Sequence, residues 1–391
     1  MNNAVKEAIH SLAASGDRPF CAYLYDLHGL EQHIRAMTAA LPDNVQLFYA
    51  AKANPDARVL ATLSPWVDGF EAASGGELEW LYQRHPDKPL IFGGPGKLAS
   101  ELATALERGI DTLHVESQTE LRRLATLTAS TGRTAAILLR MNIPLEDIGT
   151  SKLAMGGRAT QFGLDPRELE EALALIAHSP GLRLQGFHFH LMSHQCSARR
   201  HLDLMALYFR TFKQWCQTYH IAPPLLNVGG GMGIDYGPGA RHFDWSWFCG
   251  ALGELIASEK MAQTTIRFEC GRFISAQCGY YVMEVLDIKH SHGEYFAIGR
   301  GGTHHFRTPA AQSHSHPFVV VPGKHREGEI RDARVTLAGQ LCTPKDVLAS
   351  RQHVSSLAIG DYLVFPLAGA YSWNISHQNF LMHPPPQFHY L

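Results

Sequence analysis

The chain of 391 residues has no apolar run long enough to span a bilayer. Its first twenty residues, "MNNAVKEAIHSLAASGDRPF", carry acids and lack the apolar core of a secretion signal. A soluble cytoplasmic protein is therefore expected. An excess of charge of either sign is also missing. The formal net charge is −2, so neither nucleic acid nor an acidic membrane surface is implied as a partner. Cysteine is sparse and odd in number: seven residues without regular pairing spacing exclude a disulfide framework and fit reduced thiols. No internal repeat and no low-complexity linker is visible. Neither a Walker A loop nor a GxGxxG loop occurs, which removes the commonest nucleotide-binding readings.

What is present is the balance of an ordinary globular protein, with 45% hydrophobic and 18% charged residues. Within it, "LFYAAKANPDARVL" (47–60) stands out. An apolar strand runs straight into Lys52, and burying a lysine is unfavourable unless it has a partner or a task. Asn54-Pro55-Asp56 then predicts a helix start, with Asn54 as N-cap and Pro55 at the first helical position. Lys52 is thereby placed at a strand-to-helix junction.

Apolar strand-like segments recur at 45–52, 69–74, 89–94, 112–117, 135–142, 184–191, 225–231 and 265–272. Helix-patterned stretches such as "GGELEWLYQRH", "ASELATALERG" and "RELEEALALIAH" separate them. Eight βα-spaced strands predict an α/β fold with a (β/α)8 barrel over 27–270. After residue 271 the texture becomes alternating and aromatic strands between Gly and Pro turns: "GYYVMEVLDIKH", "EYFAIG", "PFVVVPG", "ARVTLAGQ" and "DYLVFPLAGAY". A second, mainly β domain is expected from 271–391 together with 1–26, which contributes the strand "FCAYLYD". The tail "HPPPQFHYL" reads as irregular surface chain.

In a barrel of this kind, chemistry gathers at the C-terminal strand ends. Those ends carry Lys52, "EAASGGE", "HFHLMSH", "GGGMG" and "ECGR". Gly229, Gly230 and Gly231 follow a strand and would let backbone N–H groups approach a phosphate, although a plain tight turn would look the same. Glu269 beside Arg272 could be a structural ion pair. A lysine, a phosphate loop and a carboxylate on one rim are nevertheless the parts that hold pyridoxal phosphate. The closely spaced histidines of "HFHLMSH" and "HSH" do not supply four ligands at zinc spacing, so no metal is expected.

The ordered motifs "FYAAKAN", "GFEAASGGEL", "FHFHLMS", "NVGGGMGIDY", "ECGRFISAQCG", "GQLCTPKDVL" and "GDYLVFPLAGAY" resemble those of the fold-type III pyridoxal-phosphate decarboxylases. These include diaminopimelate, ornithine and arginine decarboxylases, whose barrel-plus-β-domain fold is that of alanine racemase. The resemblance implies Lys52 as the Schiff-base lysine, His190 against the cofactor ring and Glu269 on the pyridine nitrogen. Glu71 takes the place of an acid near the cofactor. Ser193, Gly229, Gly230, Gly231, Arg272 and Tyr371 match the phosphate side. Cys342 resembles a cysteine donated across a homodimer interface to reprotonate the product carbon, so two shared active sites are implied.

Departures from the pattern bear on substrate. Where diaminopimelate decarboxylases carry Cys-Glu-Ser, this chain has Cys342-Thr343-Pro344, without the acid that holds a distal amine. Arg307-Thr308-Pro309-Ala310-Ala311 keeps the arginine of the distal-carboxylate segment and loses its tyrosine. Asp346 remains as a further candidate contact, and His304, His305, His314 and His316 could add donors. "GPGK" and "LCTPKDVL" look more like the decarboxylases of carboxylate siderophore assembly, which act on citryl-serine or citryl-diaminopropionate conjugates. The alternatives are a diaminopimelate decarboxylase with a drifted motif and a non-catalytic pyridoxal-phosphate-binding protein. Small relatives of the second kind lack the β domain and the Cys342 motif, so the presence of both here argues for an enzyme.

Overall fold

The computed structural model describes residues 3–16, 18–145, 156–237, 242–312 and 314–391. Two compact units are present. One comprises 32–234 and 241–274, the other 1–31, 235–240 and 275–391.

The chain opens with helix α1 (Asn3–Ser15), which buries Val5, Ile9 and Ala13 on one face, and strand β1 (Cys21–Tyr25), buried at all five positions. The i, i+4 spacing of those three apolar residues is a helical signal. Eight parallel strands then close into a barrel: β2 (Val45–Ala50), β3 (Gly69–Ala72), β4 (Leu90–Phe92), β5 (Thr112–Val115), β6 (Ala135–Arg140), β7 (Leu182–His188), β8 (Leu225–Gly229) and β9 (Thr265–Cys270). Closure is made by β2, which pairs Phe48 with Gly69 of β3 and Val45 with Ile266 of β9. Burial on both faces explains why these strands read as continuous apolar runs rather than alternating ones. The helices patterned in the sequence form at Gly75–Arg84, Ala99–Arg108 and Leu169–Ala177. The expected fold class, a (β/α)8 barrel plus a mainly β part, is the one observed.

The junction after Lys52 differs in detail from the sequence expectation. Lys52 lies on a 3-10 turn, Ala51–Ala53, and the following helix runs Ala57–Leu63. Its N-cap is Asp56, whose carboxylate accepts from the N–H groups of Arg58 and Val59, not Asn54. Asn54 instead accepts from the N–H of Asp56, an Asx-type turn that delays the helix and keeps Pro55 outside it.

In the other unit, β10 (Gly279–Ser291), β11 (Glu294–Gly299), β12 (Val319–Val321), β13 (Glu327–Ala338), β14 (Val347–Ile359) and β15 (Tyr362–Phe365) form one sheet in the order β12-β15-β10-β11-β13-β14. Strand β1 joins it antiparallel to β10. The tail is not irregular: β16 (Gln387–Tyr390) pairs in parallel with β1, and Phe388 stacks on Tyr23. Alternating aromatic residues after the prolines are what that edge uses. Strand β14 escaped the sequence reading because its exposed, polar positions dilute the apolar alternation. Val5, Ile9, Phe20, Leu24, Val282 and Val364 anchor the core of this unit. Each such buried side chain contributes about 1.5–3 kcal/mol relative to exposure. Among the described residues no helix is long and apolar enough to cross a membrane.

Candidate active site

The C-terminal rim of the barrel is a meeting place of charges. Lys52, just past β2, directs its Nζ to both carboxylate oxygens of Glu71 on β3, at 2.9 and 2.8 Å. The lysine side chain is 43% exposed, whereas Glu71 is buried. An amine held at a buried acid but open on its other side is fixed in place and still reachable.

Glu269 joins the same part of the rim from β9, the barrel neighbour of β2, and is almost fully buried. Its Oε1 accepts from Asn227 Nδ2 at 2.7 Å, and the same Asn227 accepts through Oδ1 from the N–H of Gly229 at 2.9 Å. His114 Nε2 and His188 Nε2 approach the Glu269 oxygens at 3.6 and 3.5 Å. Burial holds both imidazoles far below their ordinary pKa, so they are neutral and these approaches are not ion pairs. Neither ring nitrogen of His188 makes a hydrogen bond. Burial, reinforced by the nearby negative charge of Glu71, pushes Glu269 up to about 7. Lys52 and the Asn227 hydrogen bond oppose that rise without cancelling it.

The glycine run has a physical reason for each residue. Gly229 and Gly231 have φ of +66° and +98°, the left-handed region. A Cβ on Gly229 would lie 2.2 Å from His190 Nδ1, and one on Gly230 would lie 2.2 Å from the carbonyl of Glu269. The loop is thus pressed between the histidine after β7 and the acid on β9. The N–H of Gly230 donates to His190 Nδ1 at 3.3 Å, which requires a lone pair there. Burial accordingly lowers the His190 pKa well below its ordinary value. Ser193 and Arg272 are both part-buried residues of this same unit.

Residues that the sequence reading passed over complete the rim. Arg140, the last residue of β6, donates to Glu116 at 2.9 Å, and both are buried. Glu116 also receives the N–H groups of Gly94 and Gly163. Lys97 pairs with Glu120 at 2.8 Å. His114, Glu116, Arg140 and Asn227 all stand on or just after barrel strands. Polar residues at strand ends were therefore the available signal.

The other unit carries Arg307, Thr343, Asp346, Cys342 and Tyr371. Arg307 and Thr343 line a common cavity of about 790 Å³, and Cys342 is exposed on the adjoining turn. Tyr371 takes a left-handed φ of 50°, and its carbonyl accepts from the hydroxyl of Thr308. Asp346 is buried, with Oδ1 accepting from Thr303 N and Oγ1 and Oδ2 accepting from Leu341 N. It ties down the turn that bears Cys342 and Thr343. Of the four candidate histidines only His314 lines the cavity. His304, His305 and His316 are fully buried, and burial keeps them neutral.

A closed α/β barrel whose rim gathers a reachable lysine, a buried acid and a tight glycine loop defines the lysine-anchored class of cofactor enzymes. Residues 27–276 match the family model described as pyridoxal-dependent decarboxylase, pyridoxal binding domain. The chain belongs to that family of pyridoxal-dependent decarboxylases. It is 42% identical to 2-[(L-alanin-3-ylcarbamoyl)methyl]-2-hydroxybutanedioate decarboxylase of Staphylococcus aureus, over 99% of this chain and 98% of that one. Identity to L-glutamyl-[BtrI acyl-carrier protein] decarboxylase of Niallia circulans is 31%, covering 98% and 91%. Among solved structures, diaminopimelate decarboxylase from Helicobacter pylori complexed with L-lysine superposes with a TM-score of 0.86. The identity there is 24%, over 98% of this chain and 94% of that one, so the likeness speaks for the fold.

Proposed function

We propose that the protein decarboxylates, with pyridoxal phosphate, the amino-acid end of a citrate–amino acid conjugate of the citryl-diaminopropionate or citryl-serine type, as a step of carboxylate siderophore assembly. The observation that carries the cofactor part is the rim: an acid pushed up by its burial, beside an amine reachable at Lys52 and a glycine cradle that excludes any Cβ. Those residues fit pyridoxal phosphate. Lys52 would hold its aldehyde and Glu269 its ring nitrogen. His190 would face the ring. Gly229, Gly230 and Gly231, with Ser193 and Arg272, would hold its phosphate, a role the family resemblance extends to Tyr371. When bound, the cofactor supplies an electron sink for the bond between Cα and the carboxylate.

The chain's own residues do the rest. Glu71 grips Lys52 through both oxygens and can take the proton that its Nζ must lose before it acts as a nucleophile. Glu269 is fixed by Asn227, and two neutral imidazoles close the space behind it, so a cationic N–H facing it meets a placed negative charge rather than water. Cys342, exposed on its turn, offers the Sγ proton that the product carbon needs. It does so for the neighbouring subunit of a homodimer, and Lys52 is the alternative donor.

The substrate part is supported by the relative from Staphylococcus aureus. Its name describes an alanine joined at carbon 3, through an amide, to a hydroxylated dicarboxylate. Thr343, in place of an acid, suits the same chemistry. The test is CO₂ release by the cofactor-loaded protein from meso-diaminopimelate, lysine, ornithine, and citrate conjugates of serine and diaminopropionate. Turnover confined to the conjugates is expected. Efficient turnover of meso-diaminopimelate would return the protein to lysine synthesis.

A further inference from the structure

Four alternate strands of the barrel, β3, β5, β7 and β9, carry Glu71, His114, His188 and Glu269 near their C-terminal ends. Alternate strands build one inward layer of such a barrel, ordinarily filled by Val, Ile or Leu. Here the four residues are polar, and they are contiguous. A Cβ on Gly93 would lie 3.4 Å from Glu71 Oε1 and 3.5 Å from His114 Nδ1. The ring centres of His114 and His188 are 4.2 Å apart. Closing the space behind Glu269 requires only bulk, which leucine or phenylalanine at 114 and 188 would supply. Two imidazoles bring lone pairs as well.

Asn227 fixes the direction of one of those lone pairs. Its Oδ1 accepts from the N–H of Gly229, so its Nδ2 is the atom turned to Glu269 and His114, at 2.7 and 3.4 Å. An amide nitrogen only donates, so His114 Nε2 presents a lone pair there. His188 is 3% exposed, and neither of its nitrogens makes a hydrogen bond within the described chain. A ring buried in that way is costly unless something else engages it. One nitrogen of each ring and a Glu269 oxygen lie within 4.8 Å of one another. The two Nε2 atoms stand 3.6 and 3.5 Å from the carboxylate oxygens. Ligand atoms about 2.1 Å from a tetrahedral zinc stand about 3.4 Å apart. The cations nearest the trio, Lys52, Lys97, Arg140 and Arg267, sit on four other acids and are not the partners of Glu269.

We propose that the barrel without its cofactor binds a divalent transition cation at His114, His188 and Glu269, and that cation and cofactor exclude one another. Two imidazoles and one carboxylate are the three-ligand set of open zinc and ferrous sites. Sequence spacing hides it, because each ligand comes from a different strand and none from a histidine-rich motif. The way in is the rim, where Lys52 is half exposed. The exclusion rests on the reading above, in which Glu269 faces the ring nitrogen of the cofactor; the cation site does not. A carboxylate bound to a cation cannot also face a cationic ring N–H, so loading of the enzyme becomes sensitive to free metal.

The test starts from the full chain freed of cofactor and washed with a chelator, its fold checked by circular dichroism. One equivalent of Co²⁺ should develop visible d–d absorbance; Zn²⁺ should displace it, and Mg²⁺, which takes oxygen ligands, should not. In His188→Phe and in Glu269→Gln, cobalt affinity should fall at least about a hundredfold, beyond the usual loss for a group that only supports a ligand. X-ray absorption of the zinc-loaded wild type, which needs no variant, should show two imidazoles on the metal. Zinc at about ten times its own Kd should raise the apparent Kd for pyridoxal phosphate about tenfold. Cobalt held equally by wild type and both folded variants overturns the site, and so does zinc with fewer than two imidazoles. Cation bound through the trio while cofactor affinity ignores zinc overturns the exclusion, and with it the place of Glu269 at the ring nitrogen. Cation bound through the trio by a protein that takes up no cofactor leaves the site standing and removes the decarboxylase reading.

Discussion

The barrel rim and the cavity of the β unit handle charge in opposite ways. On the rim, three cations are matched by acids of the chain, Lys52 by Glu71, Arg140 by Glu116 and Lys97 by Glu120, most of them buried, while Glu269 is held by Asn227. In the cavity, Arg307 and Lys345 stand open and unmatched. A matched buried network is fixed before any ligand arrives, because a side chain that moves leaves an uncompensated charge. An open cationic face gains only when an anion comes, and it is screened by salt. The first arrangement suits a group that never changes. The second suits the part of the substrate on which selection acts.

The comparison breaks most severely at Lys52. Lys52→Ala should lower CO₂ release by at least about a thousandfold and abolish the visible absorbance of a covalently held cofactor. Glu269→Gln should lower turnover about a hundredfold or more, the usual scale for a removed placed charge. It has a second readout in the cofactor-free protein. Because burial raises Glu269 to about 7, the folded state favours the protonated acid. Its stabilising contribution is complete below the ordinary value of 4.5 and is lost as pH climbs through about 7. Measured by denaturant unfolding, the wild type should lose stability relative to Glu269→Gln between those two values. A difference that stays flat with pH would show that Glu269 ionises at its ordinary value in the folded protein.

Much of this was legible in the sequence, and the exceptions have physical causes. All eight barrel strands show because burial on both faces writes continuous apolar runs. Lys52, Glu71, His190 and the three glycines show because they end such runs. Strand β16 did not show, because its partner is β1, more than 360 residues away, and three prolines precede it. The surroundings of Asp346 were illegible for the opposite reason. An acid on a turn looks available to a ligand, and only the N–H groups of Thr303 and Leu341 reveal that it is engaged. Asn227 and Lys345 carry no periodic signal at all. Their meaning lies in what the fold sets beside them.

Asn227 is the next largest effect. It is fully buried and its side chain bonds both Glu269 and the first glycine of the loop. Asn227→Leu removes both bonds, and cofactor affinity should fall about ten- to a hundredfold, the scale seen when a group that orients a ligand-binding residue is lost. Asn227→Asp keeps the acceptor for Gly229 but replaces the donor to Glu269 with a second acid. It should raise the Glu269 pKa further and move the absorbance-versus-pH curve of the loaded protein upward, which Asn227→Leu, lacking that charge, would do less. Equal curves for the two variants would reduce Asn227 to packing.

The smallest expected effect is also the sharpest comparison of the two regions. Thr343→Glu puts an acid into a cavity that has none among the described residues and leaves the rim's own residues unchanged. The new carboxylate can pair with Arg307 or Lys345, so the cavity becomes matched in the manner of the rim. KM for a citrate conjugate should then rise about tenfold, as for loss of one charge-assisted contact, and the rise should shrink in high salt as the added charge is screened. Cofactor absorbance should not change. Binding of meso-diaminopimelate, measured as competition against the conjugate, should strengthen, since its distal ammonium now has an acceptor. If KM for the conjugate is unmoved and meso-diaminopimelate gains nothing, the open cations of the β unit are ordinary surface charge, and selection among substrates is exercised elsewhere.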